Sequence, residues 1–431
     1  MRRANAMSLP DLIEIVPPAP AVQAEITVPG SKSITNRALV LAALAAGETE
    51  LRGALWSEDT EIMVECLREL GFLVTVAPDP AEPGNRVLTV YGQGGRVPRG
   101  GTAAQPLELF VGNAGTAARF LAAMVCLGEG AYRLRGVPRM HERPQAGLFA
   151  ALRELGCRVE SPNDRLPAVI HGTGPQPGAY RVSVAESSQF ASALLLCARA
   201  GRWEIAVTGD NAGELPYVEM TRQLVAAFPA EGGRFDIEAD ASSGSYFLAA
   251  DWLLGGAGRV RVARWPASGW QVDARFPRFL PLPDTVSRAR DLGDSILTAM
   301  VLAPFAERPV RFTDLGRLRV QECERVAAMR TELTRCGARV VEEADTLTVF
   351  PAAAGLHGNE IETYQDHRVA MSFAILGLKV PGIKIKNPPC VRKTFPSFFQ
   401  KLAAPPPRGL GVELRDPATG RRLGWEELAG S

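Results

Sequence analysis

Residues 66–76, CLRELGFLVTV, carry the pattern on which the architecture turns. Leu67 and Leu70 stand three apart at helical spacing, Gly71 follows, and a run of β-formers begins at once. A glycine directly after a helical run suits a left-handed C-cap, from which the chain re-enters a sheet. The unit returns as ALRELG at 151–156 followed by CRVE at 157–160. A looser copy is ELTRCG at 332–337 followed by ARVVE at 338–342. Repetition of a helix–glycine–strand unit predicts an α/β architecture assembled from similar modules.

Outward from this stretch, apolar spacing predicts helices over 33–46, 116–127, 188–200, 218–228, 242–254, 295–304, 319–336 and 366–378. Clustered or alternating β-formers predict strands at 24–28, 86–91, 180–184 and 346–350. The segment 267–283, rich in Pro, Trp and Phe, has no clear period, and 404–431, with three prolines near its start, reads as an appended tail. At 431 residues the chain exceeds one ordinary core, so two domains are expected.

Composition narrows the function classes. A formal net charge of +1 gives no global attraction to nucleic acid or to an anionic membrane, so neither is expected as a partner and anion binding must come from local clusters. The start, MRRANAMSLPDL, has two arginines but no apolar core of leader length after them. No run approaches the ~18 apolar residues of a membrane span. The seven cysteines are widely spaced without a CxxC pair, which fits small buried hydrophobes in a reducing cytoplasm and not a metal site. Only six of the 48 basic residues are lysines: Lys32, Lys379, Lys384, Lys386, Lys393 and Lys401. Where arginine serves nearly everywhere, a lysine inside a polar motif points to a need for its compact ammonium. Chance retention suffices for Lys379 and Lys401.

Polar motifs fall where strands hand over to helices. In PGSKSITNR, 29–37, Ser31 and Ser33 are placed to cap a helix whose free N–H groups face an anion, with Lys32 and Arg37 adding charge. The Gly-x-x-x-x-Gly-Lys order of a Walker loop is absent. GNAGTAAR, 112–119, opens a second helix, with Asn113 and Thr116 as hydrogen-bonding groups and Gly115 allowing close approach of a ligand. Arg139 and Arg143 share a Pro-bounded loop, and Ser187, Ser188 and Gln189 begin another helix. Asp294 lies at a helix start in DLGDSI, and Glu322 and Arg325 are three apart on one helix face. DHR at 366–368 and CVRKTF at 390–395 complete the set. Singly, each is a cap, a surface ion pair or a solvated loop. Together, helix N-termini with nearby basic groups make a strong anion site without net charge.

The ordered strings PGSKSITNRALVLAALA, GNAGTAARFLAA, PRMHERP, SSQFASALLL, DASSGSYFLAA, RVQECERV, DHRVAMSF and KTFPSFF resemble the 5-enolpyruvylshikimate-3-phosphate synthases, from about residue 26 to 402. The resemblance implies a two-domain α/β enolpyruvyl transferase fold, each domain of three βαβαββ-type repeats, with the active site in the interdomain cleft. The expected division is 1–28 plus 240–403, then 29–239, with 404–431 as the tail. It implies a monomer that uses no metal or organic cofactor. The implied reaction transfers the enolpyruvyl group of phosphoenolpyruvate to the 5-hydroxyl of shikimate 3-phosphate, on the route to chorismate and the aromatic amino acids.

By the same resemblance Lys32, Asn113, Gly115, Arg143, Gln189, Arg325, Arg368 and Lys393 hold phosphoenolpyruvate. Bidentate arginines suit its carboxylate and phosphate, and lysines add point charge. Lys32, Ser33, Arg37, Ser187, Ser188, Gln189, Tyr217, Asp294 and Gln321 meet the acceptor, and Asp294, Glu322 and Lys393 move protons. Three positions depart from the family pattern. Gln321 stands where Lys or His is usual, Glu214 near a usual serine, and Arg317 where asparagine is frequent. All three concern the acceptor, so a relative using the same donor with another alcohol, such as a nucleotide hydroxyl in a secondary pathway, is the alternative. The related UDP-N-acetylglucosamine enolpyruvyl transferases fit the quoted strings less well. A binding homologue without activity is disfavoured by the presence of Asp294, Glu322 and Lys393.

Overall fold

The computed structural model describes residues 9–18, 22–209, 213–256 and 259–428; residues 1–8, read above for a leader, lie outside them. The chain condenses into two compact units, one of Met1–Pro29 with Ala239–Ser431 and one of Gly30–Glu238.

Each unit is built from one recurring sheet plan. In Gly30–Glu238 a four-stranded sheet runs Leu107–Phe110, Glu129–Arg135, Ala168–Thr173, Arg158–Glu160, with the first pair parallel and the others antiparallel. The order Gly233–Asp236, Glu48–Leu55, Asn85–Tyr91, Leu73–Pro78 repeats that plan. A parallel pair, Gly178–Ser183 with Trp203–Thr208, completes the unit. In the other unit Thr285–Ser287, Val310–Thr313, Thr346–Val349, Val340–Glu343 has the same pattern. So does Glu360–Ile361, Ile383–Lys386, Leu12–Val16, Glu413–Arg415, again beside a parallel pair, Ala24–Ile26 with Val260–Val262. Among the described residues each unit therefore holds two four-stranded sheets of one plan and one parallel pair, three groups in the number that the resemblance implies.

Parallel neighbours require a crossover, which helices supply. Gly115–Met124, Ser188–Gly201, Ile296–Leu302 and His367–Leu376 each follow the first strand of a parallel pair. Their N-termini thus lie beyond the carboxyl ends of strands, where α/β sheets place ligands. The glycines that end the repeated helical runs are left-handed as the pattern requires: Gly71, Gly156 and Gly337 have φ of +91°, +86° and +92°.

The crossover helices are core elements. Ile296–Leu302 and His367–Leu376 are buried at every position and pack on each other. Phe247, Phe395 and Phe398 close the same core with tilted rings 5.6–6.1 Å apart. In the other unit Lys32–Leu44, Gly115–Met124 and Ser188–Gly201 meet as a central trio. All seven cysteines are free, five of them buried.

Two expectations are corrected. The helix read over 319–336 is two pieces: a 3-10 turn Gly316–Val320, then Arg325–Arg335, capped by Glu324, whose carboxylate accepts from Ala327 N at 2.6 Å. Glu322 therefore lies in the loop, not on the helix face with Arg325. Residues 404–428 are no loose tail. Glu413–Arg415 pairs with Leu12–Val16, and Leu410, Val412 and Leu414 are buried at strand period. The unplaced segment 267–283 contains a 3-10 run, Val272–Phe279.

Gly156 has open space beside it, whereas a Cβ on Gly337 would lie 2.5 Å from the Gly355 carbonyl oxygen. Gly156→Ala should cost about 1 kcal/mol, the left-handed penalty alone, and Gly337→Ala at least about twice that. Urea unfolding of the two variants checks the order.

Candidate active site

Asp294 is presented by a pinned turn. Asp273, from the 3-10 run, accepts from Gly293 N at 2.8 Å, Ser295 N at 3.1 Å and Ser295 Oγ at 2.5 Å, and also from Ser242 Oγ. The residues on both sides of Asp294 are thereby fixed to one buried carboxylate. Asp294 Oδ2 lies 3.1 Å from Arg368 Nη2, and Oδ1 lies 3.7 Å from both Arg325 Nη1 and Arg288 Nη2. Burial alone would raise this carboxyl, but Arg368, Arg325 and Arg288 outweigh it and hold it down at about 2.

Arg325 is the node of the cluster. Its Nε and Nη2 donate to the two oxygens of Asp366 at 2.7 and 3.2 Å, a bidentate pair. Nη2 also reaches Glu322 Oε2 at 3.0 Å, and Nη1 donates to Gln321 Oε1. Asp366 in turn caps the helix His367–Leu376 by accepting from Arg368 N at 2.8 Å. Lys393 Nζ lies 3.4 Å from Glu322 Oε1. Burial pushes the Cys323 thiol up, and its Sγ donates to Asp366. Within this group four cations, Arg288, Arg325, Arg368 and Lys393, face the carboxylates of Asp294, Glu322 and Asp366. The arginines are oriented by carboxylates before any ligand arrives. Arg317 lies in the 3-10 turn just ahead.

In the Gly30–Glu238 unit the motif PGSK closes tightly. A Cβ on Gly30 would fall 1.9 Å from the Gly53 carbonyl oxygen, so no side chain fits there. The helix Lys32–Leu44 follows, with Ser31 at its N-cap and no side-chain capping bond, contrary to the capping expected of Ser31 and Ser33. Lys32 Nζ pairs with Asp59 Oδ2 at 3.0 Å. Arg37 turns inward, one turn further along. Its guanidinium donates to Thr221 Oγ1 at 2.8 Å, Ser192 Oγ at 3.1 Å and the Ser33 carbonyl at 2.8 Å, and lies 5.2 Å from the Phe120 ring centroid. Burial lowers its pKa to about 10. Arg37 thus locks helices together, a packing role that stands beside the phosphate contact expected of it. Tyr217 accepts through its carbonyl from Thr221 Oγ1 at 2.8 Å.

Gly115 opens its helix beneath two guanidinium groups. A Cβ there would meet Arg119 Nη1 at 2.4 Å and Arg143 Nη2 at 2.6 Å. Arg143 Nη1 donates to the Asn113 carbonyl at 3.1 Å. Arg119 donates to Gln189 Oε1 at 3.2 Å and the Pro144 carbonyl at 2.9 Å, and Gln189 Nε2 reaches Thr116 Oγ1 at 3.5 Å. At the next helix, Ser187 is the N-cap, and its Oγ accepts from Gln189 N at 3.3 Å. The adjacent Ser188 N–H donates to Glu214 Oε2 at 2.6 Å.

Each unit therefore gathers its own share of the expected residues. Asp294, Gln321, Glu322, Arg325, Arg368 and Lys393 form one cluster. Lys32, Asn113, Gly115, Arg143, Ser187, Ser188 and Gln189 lie at neighbouring helix starts of the other unit. Sequence reasoning did not single out Arg119, Asp273, Arg288 or Asp59. Arg119 stands out as a charge in an apolar stretch, but Asp59, Asp273 and Arg288 sit among other charged residues, and only their burial sets them apart.

The chain matches the family described as EPSP synthase (3-phosphoshikimate 1-carboxyvinyltransferase) over residues 16–279 and 285–402. It is 40% identical to the 3-phosphoshikimate 1-carboxyvinyltransferase of Opitutus terrae, across 92% of this chain and 98% of that protein. It is 38% identical to the protein of that name from Trichormus variabilis, across 88% and 96%. In fold it is similar to the EPSP synthase of Acinetobacter baumannii, with a TM-score of 0.72 at 22% identity over 94% of this chain and all of that one. The enolpyruvyl transferase NikO from Streptomyces tendae gives 0.65 at 16% identity, over 94% and 98%. With the matched segments spanning most of its length, the chain belongs to the EPSP synthase (3-phosphoshikimate 1-carboxyvinyltransferase) family.

Proposed function

We propose that this chain transfers the enolpyruvyl group of phosphoenolpyruvate to the 5-hydroxyl of shikimate 3-phosphate and releases inorganic phosphate. The observation that carries the reading is the pinned Asp294 within reach of Arg288, Arg325 and Arg368, beside the Glu322–Lys393 pair. The chemistry is addition at C2 of the donor followed by elimination. It needs cations for the carboxylate and phosphate of the donor, an acceptor for the hydroxyl proton, and a donor of a proton to C3.

Arg325, Arg368 and Lys393, with Lys32, Asn113, Gly115, Arg143 and Gln189, are assigned to phosphoenolpyruvate. Lys32, Ser33, Arg37, Ser187, Ser188, Gln189, Tyr217, Asp294 and Gln321 are assigned to the acceptor. Asp294 receives the hydroxyl proton, and Glu322 with Lys393 handles the proton at C3. In the resting site Asp294 is a weak base because arginines stabilise its anion. Anionic groups of the donor compete for Arg368 and Arg325. Each guanidinium drawn toward the donor lets burial push the Asp294 carboxyl up, so donor binding itself raises the basicity the reaction needs. We take the working unit to be a cytoplasmic monomer, as the resemblance to the family implies. Among the described residues no helix is long and apolar enough to cross a membrane.

Phosphate release from phosphoenolpyruvate with shikimate 3-phosphate as acceptor tests the proposal. No turnover in protein that still binds the donor would refute it. Asp294→Asn should lower kcat by ~10²–10⁴-fold, the usual range for loss of a general base, with the circular dichroism spectrum unchanged; near-wild-type turnover would remove its assigned role.

The same carboxyl makes a prediction for stability. Its folded pKa, about 2, lies below the ordinary aspartate value of 3.8, so its stabilisation is complete above the unfolded pKa and is lost as pH falls through the folded one. The full contribution is about 2 kcal/mol, with roughly half gone at pH 3. The difference in unfolding free energy between wild type and Asp294→Asn should narrow accordingly between pH 6 and pH 3.

A further inference from the structure

Resting on the assignment of the acceptor phosphate to the start of the helix Ser188–Gly201, we infer that the carboxylate of Glu214 is a built-in competitor for that phosphate. It thereby sets how far this chain prefers a phosphorylated acceptor over an unphosphorylated one.

Helix starts bind phosphate through N–H groups with no partner inside the helix. Here two of those groups are occupied from within. Ser187 Oγ takes the N–H of Gln189, and Glu214 Oε2 takes the N–H of Ser188 at 2.6 Å, a short charge-assisted bond. Glu214 is itself the residue ahead of the helix Leu215–Ala227, yet its side chain does not cap that helix. It reaches a different helix, 26 positions earlier in the chain, and is buried there. A carboxylate in that position is stabilised by the same dipole and the same donor that a phosphate would use.

The charge balance points the same way. Arg37 and Lys32 are the two cations assigned to the acceptor. Arg37 is turned into the helix packing and feels the negative charge of Glu214, while Lys32 is held by Asp59. A phosphate arriving at Ser188 must displace Glu214 or share one N–H with a like charge, and like charges brought together at a binding site oppose association. Serine, the residue usual near this position, offers a hydroxyl and no charge. The substitution therefore converts a donor to the acceptor's phosphate into a rival for it.

Calorimetric titration of shikimate 3-phosphate and of shikimate into the full chain tests this with wild type, Glu214→Ser and Glu214→Gln. Glu214→Ser should tighten shikimate 3-phosphate at least ~10-fold, about 1.4 kcal/mol, while shikimate shifts less than ~2-fold. Glu214→Gln, which keeps an oxygen for the Ser188 N–H but no charge, should fall between and serves if the serine variant does not fold. In turnover the acceptor KM should fall and the phosphoenolpyruvate KM hold. Unchanged or weaker binding of shikimate 3-phosphate by the folded variants, or equal tightening of both ligands, overturns the inference. Wild type that binds shikimate 3-phosphate but releases no phosphate from the donor refutes the proposed reaction alone, since the affinity comparison still stands. Absence of shikimate 3-phosphate binding in wild type and both variants overturns the two together.

Discussion

The guanidinium of Arg325 and the carboxylate of Asp366 meet through two hydrogen bonds, at 2.7 and 3.2 Å, with both side chains shut away from water. Removing one partner of such a pair typically costs about 3–5 kcal/mol, because the other is left charged and buried. The pair is also an architectural joint. Arg325 opens one helix and Asp366 caps another, so the same two bonds fix where the second helix starts and therefore where Arg368 emerges. Arg368 then meets Asp294, whose own turn hangs on Asp273. Geometry passes from one buried carboxylate to the next through alternating charges.

That arrangement explains why so many charges tolerate enclosure. A guanidinium in a dry site needs its donors answered, and Arg325 has Asp366, Glu322 and Gln321 around it. Arg37 in the other unit solves the same problem with neutral acceptors: two hydroxyls, a backbone carbonyl and a ring face. The contrast separates their roles. Arg325, ringed by exchangeable carboxylates, can trade one anion for another. Arg37, bound to fixed neutral groups, holds its place.

Much of this was legible in the sequence, and the illegible parts have physical causes. The helix–glycine–strand repeat marked the modules because a left-handed cap almost requires glycine, as Gly71, Gly156 and Gly337 confirm. The helices carrying the motifs were visible even where buried all round, as in Ile296–Leu302, since a continuous apolar run of the right length remained. The break at 321–324 was not visible. Local spacing there favours a continuous helix, and the loop that frees Gln321 and Glu322 to face Arg325 is held by tertiary contacts. The direction of Arg37 was likewise hidden, because helical phase does not reveal that Thr221 and Ser192 wait on two distant helices. Asp273 sat in a stretch with no period at all.

The strand Leu12–Val16 lies between Ile383–Lys386 and Glu413–Arg415. Its neighbours are thus made some 370 and 400 residues after it, counting along the chain. On the ribosome this strand emerges long before either neighbour and waits with both edges open, while Gly30–Glu238, continuous in sequence, has all its residues before those neighbours are made. The order of completion is therefore built into the connectivity: the inserted unit first, the sewn unit only when its last strand arrives. For that interval the apolar LIEIV segment is an unpaired edge of the kind that chaperones shield and that aggregation exploits.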